Sequence, residues 1–221
     1  MVKITSRIDA ITLIAEGYRR VDPPAPRSVK VELTGRCNFR CGFCALRTRV
    51  VQPKGDMDFG LFKRITGEMR EVGVEEIGVF YLGESCSAPD LLVKAIGYVK
   101  TLGFPYCFLT TNGSLMDAHL AGECMRAGLD SMKFSINAAD AEQFRAVMGV
   151  KESLFEDALH NLQMARANRD LNGYKWTVDP YGTSHTGSII GTNGGGGNTF
   201  ITKVKFSSSQ SAQVANGNFA D

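Results

Sequence analysis

Long apolar runs are missing from this sequence: no stretch approaches the roughly 18 uninterrupted apolar residues of a membrane span. In the opening "MVKITSRIDAITLIAEGYRR", Asp9 and Glu16 interrupt the apolar part, which argues against a signal peptide. An excess of one charge is missing too, since 25 Lys and Arg against 23 Asp and Glu leave only +2. That balance is too small to argue for a nucleic-acid or acidic-membrane partner. Histidine is scarce, and His119, His160 and His185 show no ligand spacing. The expectation is therefore a cytoplasmic protein in a reducing compartment. There, clustered cysteines bind metal or do chemistry rather than form disulfides.

Only six cysteines are present, yet three of them fall within eight residues, "CNFRCGFC" at 37–44, with no fourth nearby. Tetrahedral structural zinc wants four Cys or His ligands, and a ferredoxin-type cluster likewise wants a fourth cysteine. A four-iron cluster held by Cys37, Cys41 and Cys44 alone would leave one iron open to another ligand. The isolated Cys86, Cys107 and Cys124 read as small buried hydrophobes, although Cys86 lies close to the polar segment at 83–84.

The chain alternates strand and helix. The segment "DPPAP" at 22–26 breaks an N-terminal helix. "SVKVELT" from Ser28 then alternates apolar and polar residues with the two-residue period of a strand. A helix is expected from an Asp58 N-cap to Gly73, followed by the apolar strand "EIGVFYLGE", and a second helix from Pro89 to Gly103. "PYCFLTTNG", a helix over 117–128, "DSMKFSIN", and a long helical stretch over about 139–169 dented near Gly149 complete the pattern. Such alternation predicts an α/β fold with a parallel sheet covered by helices, whose chemistry sits at the carboxyl ends of the strands. Four polar clusters fall at those ends: the cysteines, Gly83-Glu84, Thr111-Asn112-Gly113 and Ser135-Ile136-Asn137. Arg47, Arg49 and Lys54 read as a solvated basic loop.

Texture changes near residue 173. Of the 48 residues from Tyr174 onward, 24 are Gly, Ser, Thr or Asn and five are charged, so the strand–helix rhythm does not continue. "SIIGTN" and "NTFITKVKF" read as two short strands of a hairpin, with Gly194–Gly197 as a flexible turn. The expected organisation is an N-terminal helix and Pro-rich linker over 1–27, a core over 28–173, and a β-prone Gly/Ser/Thr/Asn-rich segment over 174–221.

The CxxxCxxC triplet with Phe43, placed after a first strand, closely resembles the signature of radical S-adenosylmethionine (radical SAM) enzymes, over roughly residues 28–172. The resemblance implies a partial (β/α) barrel, here apparently incomplete because four units are visible where the family usually has six. It implies a [4Fe-4S] cluster on Cys37, Cys41 and Cys44, whose open iron chelates S-adenosylmethionine. Reductive cleavage of that cofactor to a 5′-deoxyadenosyl radical, and hydrogen abstraction from a substrate, would follow. "YLGES" at 81–85 is similar to the family's GGE segment, with Leu82 where a glycine usually stands. Gly83 and Glu84 would then hold the methionine amino group. Asn112, Ser135 and Asn137 match strand-end positions that contact the cofactor, Arg145 matches an arginine that meets its carboxylate in peptide-modifying members, and Phe43 would lie near the adenine. A low-potential electron donor of flavodoxin or ferredoxin type and a peptide substrate are implied by the same analogy. Two other readings stand beside it: a truncated or chimeric cluster-binding protein without turnover, and a non-catalytic zinc module.

Overall fold

The computed structural model describes residues 16–51, 53 and 55–174, together with the backbone of three strands beyond them. The expected N-terminal helix lies outside the described residues except for its end, where Glu16–Tyr18 forms one 3-10 turn.

Four strands form one parallel sheet in sequence order: β1 (Ser28–Lys30), β2 (Glu76–Gly78), β3 (Tyr106–Thr111) and β4 (Ser131–Phe134). The sheet is open, not closed into a barrel. Helices follow the strands: α1 (Phe59–Glu71), α2 (Pro89–Thr101), α3 (Ala118–Arg126), and the pair α4 (Ala141–Met148) and α5 (Ser153–Leu171). Aspartates start three of them. Asp58, Asp117 and Asp140 each accept an N–H three residues on, from Leu61, Leu120 and Gln143, at 2.8 Å. Such side chains satisfy donors that the first helical turn leaves without partners.

The alternating segment at 28–34 and the apolar run at 76–84 form shorter regular strands than their patterns suggest. Pairing nevertheless continues one step further, with Val31 N donating to Gly78 O at 2.7 Å and Val79 N to Phe108 O at 3.0 Å. Beyond that both segments leave the sheet and become loops. The helical stretch expected over 139–169 is two helices. Gly149 separates them at φ +65°, a left-handed conformation that glycine adopts without strain.

Burial in β3 alternates: Cys107, Leu109 and Thr111 are buried while Tyr106, Phe108 and Thr110 are only partly so. The buried side, with Val31, Leu33, Ile77, Val79, Met132 and Phe134, meets the helices in one core with Phe62, Leu92, Ile96, Leu120 and Phe144. Each such side chain contributes about 1.5–3 kcal/mol by leaving water, so the sheet is anchored from this side. The opposite side carries aromatic pairs, with the Phe80 and Phe108 rings 5.6 Å apart and Tyr106 stacked 5.7 Å from Phe108.

Asp130 ties the start of β4 to its neighbours. Its Oδ2 accepts from Lys100 Nζ at 2.8 Å and from the Cys107 N–H at 2.7 Å. Asp130→Ala is expected to cost about 1–3 kcal/mol in urea unfolding, mainly by depriving the Cys107 amide of its acceptor. An unchanged midpoint would show that water replaces the carboxylate fully.

Past Gly173, β5 (Ser188–Ile190), β6 (Ile201–Phe206) and β7 (Ala212–Asn216) pair antiparallel in that order. The turn expected at Gly194–Gly197 lies outside the described residues.

Candidate cluster and cofactor site

The cysteine loop follows β1 and is held from four directions. Its backbone is bound by the last turn of α4, where Gly42 N donates to Val147 O at 2.9 Å and Arg40 N to Met148 O at 3.3 Å. Phe39, buried between the first two cysteines, meets Phe144 edge-on at 5.7 Å. Arg36 donates twice to Asp56 at 2.7 Å through Nη2, and the same nitrogen reaches Ser87 O at 3.0 Å. Asn38 donates to Ser114 Oγ at 2.8 Å and accepts from Asn112 Nδ2 at 2.9 Å. Arg47 and Arg49, expected in a solvated loop, turn back and donate to the carbonyls of Gly42 and Gly35.

Within this frame the three thiols are half-buried and free of disulfides. Burial pushes the Cys37 thiol up, with Glu84 and Cys44 adding to it. Cys41 is pushed up to about 12 by burial first and then by the charges of Cys37 and Cys44. The three groups are thus close enough to oppose each other's ionisation, an arrangement that a bound cationic centre reverses. Among the described residues no three His, Cys, Asp or Glu side chains converge on a position for a single metal ion. Three thiolates supply three of the four ligands of a tetrahedral zinc site, and in a four-iron cluster each can serve a separate iron. Phe43, between Cys41 and Cys44, is half-buried against the core.

Gly83 and Glu84 come against this loop. A Cβ on Gly83 would lie 1.9 Å from Thr34 O and 3.0 Å from Arg36 O, so only glycine fits. Glu84 N donates to Arg36 O at 2.8 Å. The Glu84 side chain is 4% exposed. Its Oε1 accepts from Thr111 Oγ1 at 2.9 Å and Cys86 N at 3.1 Å, and its Oε2 from Asn112 N at 2.8 Å. A carboxylate has about four lone-pair directions, so three donors fix its orientation and leave capacity for one more.

Asn112 links the two halves: its backbone serves Glu84, while its amide spans Asn38 and Ser114. Ser135 and Asn137 meet at the end of β4, with Asn137 Nδ2 donating to Ser135 Oγ at 3.1 Å. Asn137 has φ +55°, and no other described residue apart from glycine has a positive value. Such strain is commonest where a side chain must be aimed. Arg145 stands differently: it is exposed and its Nε donates to Glu152 Oε1 at 2.8 Å. Cys107 and Cys124 are buried, as is Cys86, whose Sγ lies 3.4 Å from Thr111 Oγ1.

Asn38, Asp56 and Glu32 escaped the sequence reading. Asn38 and Asp56 work through partners 74 and 20 residues away, and short-range spacing does not record such partners.

A match to the Radical SAM superfamily spans residues 31–173, and the chain belongs to that family. It is 30% identical over 127 residues to a PqqA peptide cyclase of Streptomyces rochei, covering 58% of this chain and 34% of the relative. It is 34% identical over 125 residues to a probable GTP 3′,8-cyclase of Metallosphaera sedula, covering 55% of this chain and 38% of the relative. The chain therefore spans little more than a third of the length of these relatives. Among solved structures, native anSMEcpe with bound AdoMet superposes with a TM-score of 0.55 at 16% identity, covering 65% of this chain and 42% of that one. Streptococcus suis SuiB bound to its precursor peptide SuiA also gives 0.55, at 17% identity, covering 67% and 31%. At these identities the likeness is one of fold: the open four-stranded sheet corresponds to part of the radical SAM barrel.

Proposed function

We propose that this chain is the cluster- and cofactor-binding part of a radical SAM enzyme, with a peptide as substrate. The observation that carries this reading is that three electrostatically coupled thiols and a buried, oriented carboxylate belong to one hydrogen-bonded unit. Cys37, Cys41 and Cys44 would hold a [4Fe-4S] cluster, and their donor chemistry fits it. When bound, cluster and S-adenosylmethionine supply one-electron cleavage of the sulfur–carbon bond and a radical that removes hydrogen from carbon.

The protein's own part is to hold and orient. Glu84 would hold the methionine ammonium, the close approach of Gly83 to Thr34 keeps the carboxylate beside the cluster loop, and Phe43 would serve the adenine side. Ser135 and Asn137, aimed by the strained backbone at 137, and Asn112 serve the sugar side of the cofactor. Arg145, engaged with Glu152, would have to change partners to reach the cofactor's carboxylate. The electron comes from a low-potential donor of flavodoxin or ferredoxin type. Peptide as substrate is supported by the names of the PqqA cyclase relative and the SuiB–SuiA complex.

Anaerobic iron–sulfide reconstitution followed by electron paramagnetic resonance tests the proposal. About four irons per chain, a reduced-cluster signal reshaped by S-adenosylmethionine, and production of 5′-deoxyadenosine are expected. Cys41→Ala should lose all three. A stoichiometry of one zinc would overturn the reading, and a cofactor-responsive cluster that yields no 5′-deoxyadenosine would reduce it to binding without turnover.

A further inference from the structure

Glu32 occupies a position that reads as the solvated half of an alternating strand. Its neighbours Val31 and Leu33 are buried in the core, so its own side chain belongs to the opposite side of the sheet. There it meets neither lysine nor arginine among the described ion pairs. Instead its Oε1 accepts two successive backbone amides from the loop after β2, Leu82 N at 3.0 Å and Gly83 N at 2.8 Å. The next amide, Glu84 N, goes to Arg36 O. Three consecutive N–H groups are thus handed to one short stretch, residues 32–36, which leads directly into Cys37.

We propose that Glu32 is a positioning residue for the cofactor: its carboxylate oxygen holds Leu82 and Gly83 so that Glu84 presents its carboxylate to the bound methionine ammonium. This rests on the cofactor reading above. The steric and polar constraints are complementary. The contact between Gly83 and Thr34 O sets how closely the loop approaches, and the two hydrogen bonds to Glu32 set its rotation about that contact. Leu82, at the position the family resemblance assigns to glycine, is exposed, at 38%. Its side chain therefore does not anchor the loop, and the backbone bonds to Glu32 take that role. One oxygen accepts both amides, so acceptor geometry, not net charge, is what the loop requires.

The test uses the reconstituted protein with two readouts: amide hydrogen exchange over 80–85 and the S-adenosylmethionine concentration that half-reshapes the cluster signal. Glu32→Ala is expected to speed exchange there and raise that concentration ~10-fold or more, the usual effect of losing a group that orients a ligand's contacts, with iron content unchanged. Glu32→Gln, which keeps the accepting oxygen, should restore both to near wild type. An alanine variant that titrates like wild type, or a glutamine variant as impaired as alanine, overturns the proposal. Should the alanine variant lose its iron, Glu32→Asp decides, because its shorter arm cannot hold both amides; wild-type behaviour there overturns it as well. A wild-type protein blind to S-adenosylmethionine would sink the cofactor reading instead, while exchange over 80–85 would still report whether Glu32 holds the loop.

Discussion

Gly83→Ala is expected to lower the melting temperature of the reconstituted protein by roughly 6–12 °C and to abolish the response of its cluster to S-adenosylmethionine. The added methyl would lie 1.9 Å from Thr34 O, well inside contact distance, and 2.9 Å from the Thr34 carbonyl carbon. Neither obstacle is a side chain that can rotate away, since both belong to the backbone between β1 and the cysteines. Relief requires the two loops to separate, which strains or breaks the bonds from Glu84 N to Arg36 O and from Leu82 and Gly83 to Glu32. Overpacking costs about 1–3 kcal/mol where side chains can adjust, and the upper end applies here because they cannot. Differential scanning calorimetry and the spectroscopic titration read the two effects separately. A melting temperature within about 2 °C of wild type would refute the steric argument.

Replacing Glu84 gives the second large effect. Glu84→Ala leaves Asn112 N, Cys86 N and the Thr111 hydroxyl without their acceptor in a buried setting. A stranded donor costs about 1–3 kcal/mol, and three that share one carboxylate do not add fully. A loss of about 3 kcal/mol in urea unfolding is therefore expected. Glu84→Gln separates structure from binding. One amide oxygen can still serve the Thr111 and Cys86 side, but the NH2 then faces the Asn112 N–H, donor against donor. Stability should fall less than in the alanine variant, while cofactor affinity falls about as far because the negative charge opposite the ammonium is gone. If Glu84→Gln titrates with S-adenosylmethionine like wild type, Glu84 is a structural brace and the ammonium is held elsewhere.

Much of this architecture was legible in the sequence because it is local. The Asp58 cap was readable from its place before the helix, and Asp117 and Asp140 cap by the same short-range bond, while the dent expected near Gly149 proves to be a full break at positive φ. The parallel sheet followed from the alternation of apolar strands with helices. The cysteine triplet stands out in the sequence because its members are close neighbours, within residues 37–44. What escaped was long-range and polar. Glu32 looks like the solvated half of an alternating strand, and its amide partners are 50 and 51 residues away. The early end of β2 was hidden too, since the apolar run continues through Phe80 and Tyr81 after the chain has left the sheet. Arg145 illustrates the reverse: a motif position on a helix acquires a local ion pair, with Glu152, that motif matching does not weigh.

The seating of the cysteine loop on the last turn of α4 also governs when the site can be assembled. The three cysteines leave the ribosome more than a hundred residues before Val147 and Met148, whose carbonyls receive the loop's amides. Closing so large a loop comes late in folding, after local helices and neighbouring strands have formed. A nascent chain therefore carries three exposed thiols in an unformed loop for the whole time that α1, α2 and α3 are being made. In an oxygenated cell that interval is when the cysteines are most open to oxidation or to stray metal. Iron–sulfur delivery would be most productive after α4 has closed over the loop, and chains interrupted before Met148 would carry the complete cysteine signature yet lack the seat that orients it.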